Sequence, residues 1–226
     1  MKQNLVRIES KEMNPKDEKY IPAMSHHSLT RFYDPVTSLM GMNKLRRQVI
    51  EALEPSKGLR VLDVGCGTGT LLQMLKKAEP RAELFGIDGD PEILSIAKGK
   101  ANRENLDIQF EYGMAYELPY ANASFDRVVS TLVFHHLATA DKKRAFSEIY
   151  RVLRADGKMI IADLGPPQGF FAKLLSPLMR KHARVADNLN GLLPVWAKEA
   201  GFSRIDDLTL FNSVMGTIRI FRASKT

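Results

Sequence analysis

Apolar positions along this chain change period several times, and the changes mark out its elements. Residues 1–24 are polar and mixed in charge and end in Tyr20-Ile-Pro-Ala-Met24, which predicts a partly ordered segment with Tyr20 as an anchor. Residues 28–42 predict a short helix, a break at Pro35 and further helix. Asn43–Leu53 continues as an amphipathic helix with Leu45, Val49, Ile50 and Leu53 on one face, ended by Pro55-Ser-Lys-Gly58. From there short apolar runs alternate with helical spacing. Arg60–Val64, Glu83–Asp88, Ile108–Tyr112, a run inside Phe125–Val133, and Lys158–Asp163 predict five strands. Thr70–Ala78, Pro91–Arg103 and Asp141–Leu153 predict helices between them, with Phe146, Ile149, Tyr150 and Leu153 of the last facing inward. Leu192–Ala200 predicts a further helix, and Ser203–Leu210 with Thr217–Ala223 a closing antiparallel pair.

This βαβ rhythm predicts an α/β fold: a Rossmann-like, seven-stranded mixed sheet with helices on both faces and the last strand antiparallel. Two divisions are expected, an N-terminal helical extension over 1–54 and the main domain over 55–226. Residues 165–190 interrupt the rhythm. Pro166 and Pro167 break the chain, and Phe170, Phe171, Leu174, Leu175, Leu178 and Met179 then recur at helical spacing despite Pro177. An insertion after the fifth strand falls at the carboxyl edge of the sheet, where such folds bind ligands. It reads either as a cap over a substrate or as a helical pair that only covers core.

At 226 residues the chain suits one domain with a sizeable core, and 44% hydrophobic with 26% charged residues is ordinary for a globular protein. No apolar run approaches the ~20 residues that span a bilayer, and the N-terminus lacks an apolar signal core. A single cysteine, Cys66, excludes an internal disulfide and argues against structural zinc. A cytoplasmic location is the resulting expectation. The net charge of +7 permits an anionic partner without requiring one. Basic residues are not interleaved with aromatics as stacked bases would need, so neither DNA nor RNA is expected as a partner.

The most informative stretch is Val61-Leu-Asp-Val-Gly-Cys-Gly-Thr-Gly69, three alternating glycines between a strand and a helix. A dinucleotide fold wants G-x-G-x-x-G facing a pyrophosphate. Here the pattern is D-x-G-x-G-x-G from Asp63 to Gly69. An acid just before the turn repels phosphate and suits a cationic ligand. The pattern resembles motif I of the class I S-adenosylmethionine (SAM) methyltransferases, whose cofactor carries an ammonium and a sulfonium and no phosphate. Three more stretches extend the resemblance: Gly86-Ile-Asp-Gly-Asp90, with Asp88 25 residues after Asp63; Tyr112-Gly-Met-Ala-Tyr-Glu-Leu-Pro-Tyr120 with Ala123-Ser-Phe-Asp-Arg-Val128; and Glu148-Ile-Tyr-Arg-Val-Leu-Arg-Ala-Asp-Gly157. Within the family it is similar to the small-molecule group that includes the ubiquinone and menaquinone C-methyltransferases.

The resemblance implies SAM as cofactor and S-adenosylhomocysteine as product. It implies a binding site from Asp63, Gly65, Cys66, Gly67, Asp88, Gly89, Met114, Ala115 and Ser130, with Asp88 on the ribose hydroxyls and Ala115 presenting a backbone amide to the adenine. Many relatives have aspartate where this chain has Met114, which can pack on the ring but makes no charged hydrogen bond. In similar enzymes the N-terminal segment folds over the cofactor, and Tyr20 and Tyr33 are the aromatic candidates to cover the sulfonium. Cys66 has no evident thiolate-stabilising partner, so its thiol is expected to pack and not to react.

His135 and His136 follow the fourth strand at the edge where the methyl group would be presented. A histidine there can take a proton from a hydroxyl, thiol, amine or carbon acid near neutral pH. A bond to loop backbone explains either histidine equally well. No further Cys/His/Asp cluster accompanies them, so no metal is expected. Methyl transfer from SAM is an in-line displacement, so the protein must chiefly align the acceptor behind the methyl. Phe170, Phe171, Leu174 and Leu175, with Met40 and Met42, point to a small hydrophobic acceptor. Basic residues at 180–184 suit its anionic end or an acidic membrane surface. A SAM-binding protein that transfers no methyl and an RNA methyltransferase are the alternatives; the glycine spacing disfavours a nicotinamide dehydrogenase.

Overall fold

In the computed structural model, residues 41–168, 173–174, 176–177, 182–213 and 216–226 are described. Tyr20, Tyr33, Met40, Phe170, Phe171 and Leu175 lie outside the described residues. Helix α1 (Met42–Leu53) turns Met42, Leu45, Val49 and Leu53 inward at three- and four-residue spacing. Ile50, expected on that face, is only half-buried.

Strand β1 (Arg60–Val64), helix α2 (Thr70–Ala78), strand β2 (Glu83–Asp88) and helix α3 (Pro91–Arg103) occupy the residues that the pattern predicts. Asp90 caps α3 by accepting from the Glu92 and Ile93 N–H groups, and Pro91 follows in the first turn, where its missing N–H leaves no bond unmade. Strand β3 (Gln109–Tyr112) starts one residue later than expected. Strand β4 (Phe125–Thr131) stops short of Val133 because Leu132 takes a left-handed φ of 59° and turns the chain out of the sheet. A single 3-10 turn, Phe134–His136, leads to helix α4 (Thr139–Val152).

Strand β5 (Leu153–Leu164) corrects the expectation of a free turn at Ala155–Gly157 followed by a strand from Lys158. The turn is retained as a bulge inside the strand, with Asp156 at a left-handed φ of 60°. The register slips there: Phe125 pairs with Leu153 and Arg127 already with Lys158. Helix α5 (Ala183–Leu189), not separated in the sequence pattern, precedes α6 (Leu193–Glu199), β6 (Arg204–Ser213) and β7 (Gly216–Ser224).

The seven strands lie in the order β3-β2-β1-β4-β5-β7-β6. β1 to β5 run parallel, while β7 is antiparallel to both of its neighbours, β5 and β6. One face buries Phe125, Phe134, Phe146, Trp196 and Phe221 against α4 and α6. The other buries Leu45, Val49, Leu72, Leu94 and Ile160 against α1, α2 and α3. Strand order reverses between β1 and β4, and the crevice outside their carboxyl ends is where a doubly wound sheet offers a ligand site. Among the described residues no helix is long and apolar enough to cross a membrane, and no group of three His, Cys, Asp or Glu is placed to hold a metal.

Candidate functional site

The glycine loop rises from β1 at this switch point. Gly65 and Cys66 donate their N–H groups to the Ile87 carbonyl at 2.8 and 3.0 Å, which ties the loop to the end of β2. Gly65 has φ 74°, and a Cβ there would lie 2.3 Å from Val133 Cγ2. The loop thus packs directly on the turn that carries the histidines. Gly67 differs: at φ 54° a Cβ would meet nothing within 4 Å. Its backbone faces open space, as a residue against which a ligand lies must.

Two carboxyl groups lie at the ends of the strands that carry this loop, Asp88 against Gly67 and Asp63 at the loop's foot. Asp88, ending β2, accepts from the Gly67 N–H at 2.8 Å and the Asp90 N–H at 3.0 Å. Burial raises its pKa, with the Gly67 and Asp90 N–H groups pulling the other way. Asp63, in β1, is 2% exposed, and its Oδ1 has no hydrogen-bond partner among the described residues. Burial first, then the charge of Asp88, pushes its pKa up to about 8, although Arg46 of α1 lies near enough to oppose them. A buried acid held neutral despite Arg46, with Oδ1 unbonded among the described residues, still calls for a closer cation and a donor. An ammonium group supplies both, so the donor set fits the cofactor implied by the motifs.

The other expected site residues are placed unevenly. Met114 and Ala115 follow β3 at the same edge, with Met114 bridged to Glu117 and Ala115 nearly buried. The stretch after them is fixed from behind. Arg151 donates to the Leu118 and Tyr120 carbonyls and to Glu148, and Glu148 accepts from the Leu118 N–H. Gly89 directs its N–H toward the Asp88 carboxyl. Ser130 is buried, and its hydroxyl donates to the Val64 carbonyl at 2.7 Å within the sheet. Cys66 is buried with its thiol against Gly86, and burial pushes the thiol pKa well up, which leaves it unreactive.

The histidine turn has a partner that the sequence did not disclose. Asp163, at the end of β5, is 1% exposed. Its Oδ2 accepts from the Val133 and Phe134 N–H groups at 2.9 and 2.8 Å, and its Oδ1 from Leu164 N–H at 2.7 Å and Asn188 Nδ2 at 2.9 Å. The same Oδ1 lies 2.8 Å from His135 Nδ1. Burial would raise the Asp163 pKa, but the His135 charge and hydrogen bond, with the backbone donors, outweigh it and hold the group below its ordinary value. An ionised carboxylate at Nδ1 assigns the ring proton there, which leaves Nε2 as the free lone pair. His136 has no such carboxylate. Desolvation, then the neighbouring His135, lowers its pKa to about 4, and its ring lies 4.0 Å from that of His135. The backbone kink at Leu132 brings the Val133 and Phe134 N–H groups onto one Asp163 oxygen. A signal for Asp163 did exist: it is the acid in the otherwise apolar run Met159-Ile-Ile-Ala-Asp163-Leu.

Residues 61–157 match the family described as "Methyltransferase domain". In fold and motif set the chain resembles the class I SAM-dependent methyltransferases. Several relatives are demethylmenaquinone methyltransferases by name, and others are not, among them the O-methyltransferase cnsE of Penicillium expansum. The chain is 34% identical over 138 residues to the demethylmenaquinone methyltransferase of Thermus thermophilus, covering 60% of this chain and 62% of that one. It is 39% identical over 122 residues to the Deinococcus radiodurans protein of the same name, covering 54% and 49%. The chain thus spans about half to three-fifths of the length of these curated relatives. Among solved structures, phosphoethanolamine N-methyltransferase 2 of Haemonchus contortus, in complex with phosphomonomethylethanolamine and S-adenosylhomocysteine, aligns with a TM-score of 0.67 at 19% identity, over 80% of this chain and 52% of that one. That likeness is one of fold.

Proposed function

We propose that this protein binds SAM at the β1–β4 crevice and transfers its methyl group to a small, apolar acceptor presented beside His135. The observation that carries the proposal is the buried, neutral Asp63, its Oδ1 unbonded among the described residues, at the foot of a glycine loop whose Gly67 leaves open space. Asp63 and the glycine loop would hold the amino-acid end of the cofactor, Asp88 the ribose, and Met114 and Ala115 the adenine. When bound, the cofactor supplies an activated methyl on a sulfonium.

This chain's own contribution is alignment and proton removal. Asp163 fixes the His135 ring with Nε2 free, and Nε2 takes the proton from the acceptor's O–H, N–H, S–H or acidic C–H as its bond to the methyl forms. Asp163 remains ionised and stabilises the resulting imidazolium. His136, without a carboxylate and held neutral, is the poorer base of the two. The names of the demethylmenaquinone relatives and the apolar positions of 170–175 favour an aromatic, lipid-like acceptor.

Calorimetric titration with SAM and with S-adenosylhomocysteine tests the cofactor assignment, with Asp88→Ala beside the wild type. Micromolar-range binding that the variant loses supports it. Absence of binding to the wild type, with the fold intact by circular dichroism, would sink it. Equal methylation of polar and lipid-like acceptors would remove the acceptor class.

A further inference from the structure

Helix α5 sits on the histidine turn, and its polar side chains end there, on the carboxylate behind it or on α4. Asn188 Nδ2 reaches Asp163 Oδ1 at 2.9 Å, and Arg184 Nη1 donates to the His136 carbonyl at 3.1 Å. Asp187 Oδ2 accepts from Thr139 Oγ1 at 2.7 Å and from Lys142 Nζ at 3.1 Å. Lys142 also donates to the Arg184 carbonyl and is completely buried. Burial lowers its pKa, and the bond to Asp187 opposes that shift. A buried ion pair adds little over an apolar pair of the same shape, but it admits few geometries. Here it braces α5 against α4. Asp187 and Asn188 leave the helix about 100° apart, one toward α4 and the other toward Asp163.

Asn188 is 1% exposed, and its Oδ1 has no partner among the described residues. An amide buried with half its capacity unused is unfavourable, and leucine would fill the place without that cost. What the asparagine offers is its Nδ2. The amide cannot be turned round, because its oxygen would then face a carboxylate oxygen. Three donors, from His135, Leu164 and Asn188, therefore converge on Asp163 Oδ1. Each takes a share of the negative charge.

We propose that Asn188, braced by the Lys142–Asp187 pair, is a positioning residue that fixes the Asp163 carboxyl and moderates its hold on the proton of His135. This rests on His135 being the base described above. A carboxylate with fewer donors would bind the imidazolium more tightly and slow the return of the ring to its neutral form. The charged and titratable groups facing the couple are His136 of the same turn, Lys142 of α4, Arg184 and Asp187 of α5, and Arg219 of β7, which pairs with Asp207 of β6.

The test is a pH titration of the His135 ring by nitrogen-15 NMR in the full chain, the signal assigned by its loss in His135→Gln. Asn188→Leu should move the titration midpoint up by about half to one pH unit, a three- to tenfold change in proton affinity. Asn188→Ala, which removes the same donor and adds no bulk, should move it in the same direction. Lys142→Met should move it less in the same direction, and the double variant should match Asn188→Leu alone. Leu189→Ala, which loosens the same helix without touching Asp163, should leave it in place. A midpoint unchanged or lowered in both Asn188 variants, or moved as far by Leu189→Ala, overturns the proposal. The titration needs neither cofactor nor acceptor. Failure of SAM to bind would thus sink the methyl-transfer proposal and leave the role of Asn188 standing, and the reverse holds equally.

Discussion

Asp63 gives the sharpest prediction, since its carboxyl is neutral before the cofactor arrives. With a pKa of about 8, it is protonated in about nine molecules in ten at pH 7. A unit positive charge about 4 Å away is worth about 4 kcal/mol at an effective dielectric of 20. That corresponds to about three pKa units, enough to ionise the group at neutral pH. Binding should therefore release about 0.9 proton per ligand at pH 7, and affinity should climb close to tenfold per pH unit. The useful window is about pH 6 to 7.5, because the ligand's own α-amino group loses its proton near pH 8. Calorimetry at one pH in two buffers of different ionisation enthalpy measures the released proton directly. Asp63→Asn should release none and show a flat profile. Before ligand is added, a carboxyl whose pKa is raised on folding costs stability as pH climbs from its ordinary value of 3.8 to about 8. Asp63→Asn should remove that slope. Equal heats in the two buffers, with affinity flat across the window, would refute the assignment of Asp63 to a cationic ligand.

The two loop glycines should separate stability from binding. Gly65→Ala combines left-handed strain of about 1–2 kcal/mol with a clash against Val133 of about 1–3 kcal/mol, and should lower Tm by more than about 5 °C. Gly67→Ala has the strain without the clash, so Tm should fall by only a few degrees while SAM affinity drops about tenfold or more, read by differential scanning fluorimetry and titration. His135→Ala should lower kcat by about 10²–10⁴-fold with SAM affinity unchanged, and His136→Ala by far less, in steady-state assays on a working acceptor. Asp163, with its pKa depressed in the fold, contributes stability that is present above the ordinary carboxylate value and lost as pH falls through its folded value. Asp163→Asn should accordingly flatten the acid limb of denaturant-measured stability.

Period located β1, α2, β2 and α3, because short apolar runs alternate there with amphipathic helical spacing and glycine or proline marks most of the boundaries. It failed where backbone conformation, not side-chain pattern, decides the path. Leu132 leaves β4 through a left-handed φ that leucine rarely adopts, so the point inside Phe125–Val133 where the strand ends was not legible. Ala155-Asp-Gly157 carries every mark of a turn, yet a slip in register keeps it within β5. Asp63, Asp88 and the glycines were legible as a site because their spacing is local. The Asp163–His135 contact was not, since it joins residues 28 apart through the ends of adjacent strands. Asn188 and Lys142 were less visible still. One lies within an irregular stretch, and the other reads as an ordinary solvent-facing lysine of an amphipathic helix.

The placement of β7 has a consequence for how the chain acquires its structure. β5 is an interior strand only because β7 pairs along seven of its residues, Lys158 to Leu164. While the polypeptide emerges from the ribosome, that border waits, apolar and unpaired, until residues 216–224 have been made. β6 is synthesised first but has no place in the sheet until β7 links it. Nascent chains stopped between β5 and β7 would thus carry an open hydrophobic edge of the kind that recruits chaperones or other nascent strands. The hairpin that looks like an appendage in the linear order closes the sheet against misassembly, and it is made after every strand that it protects.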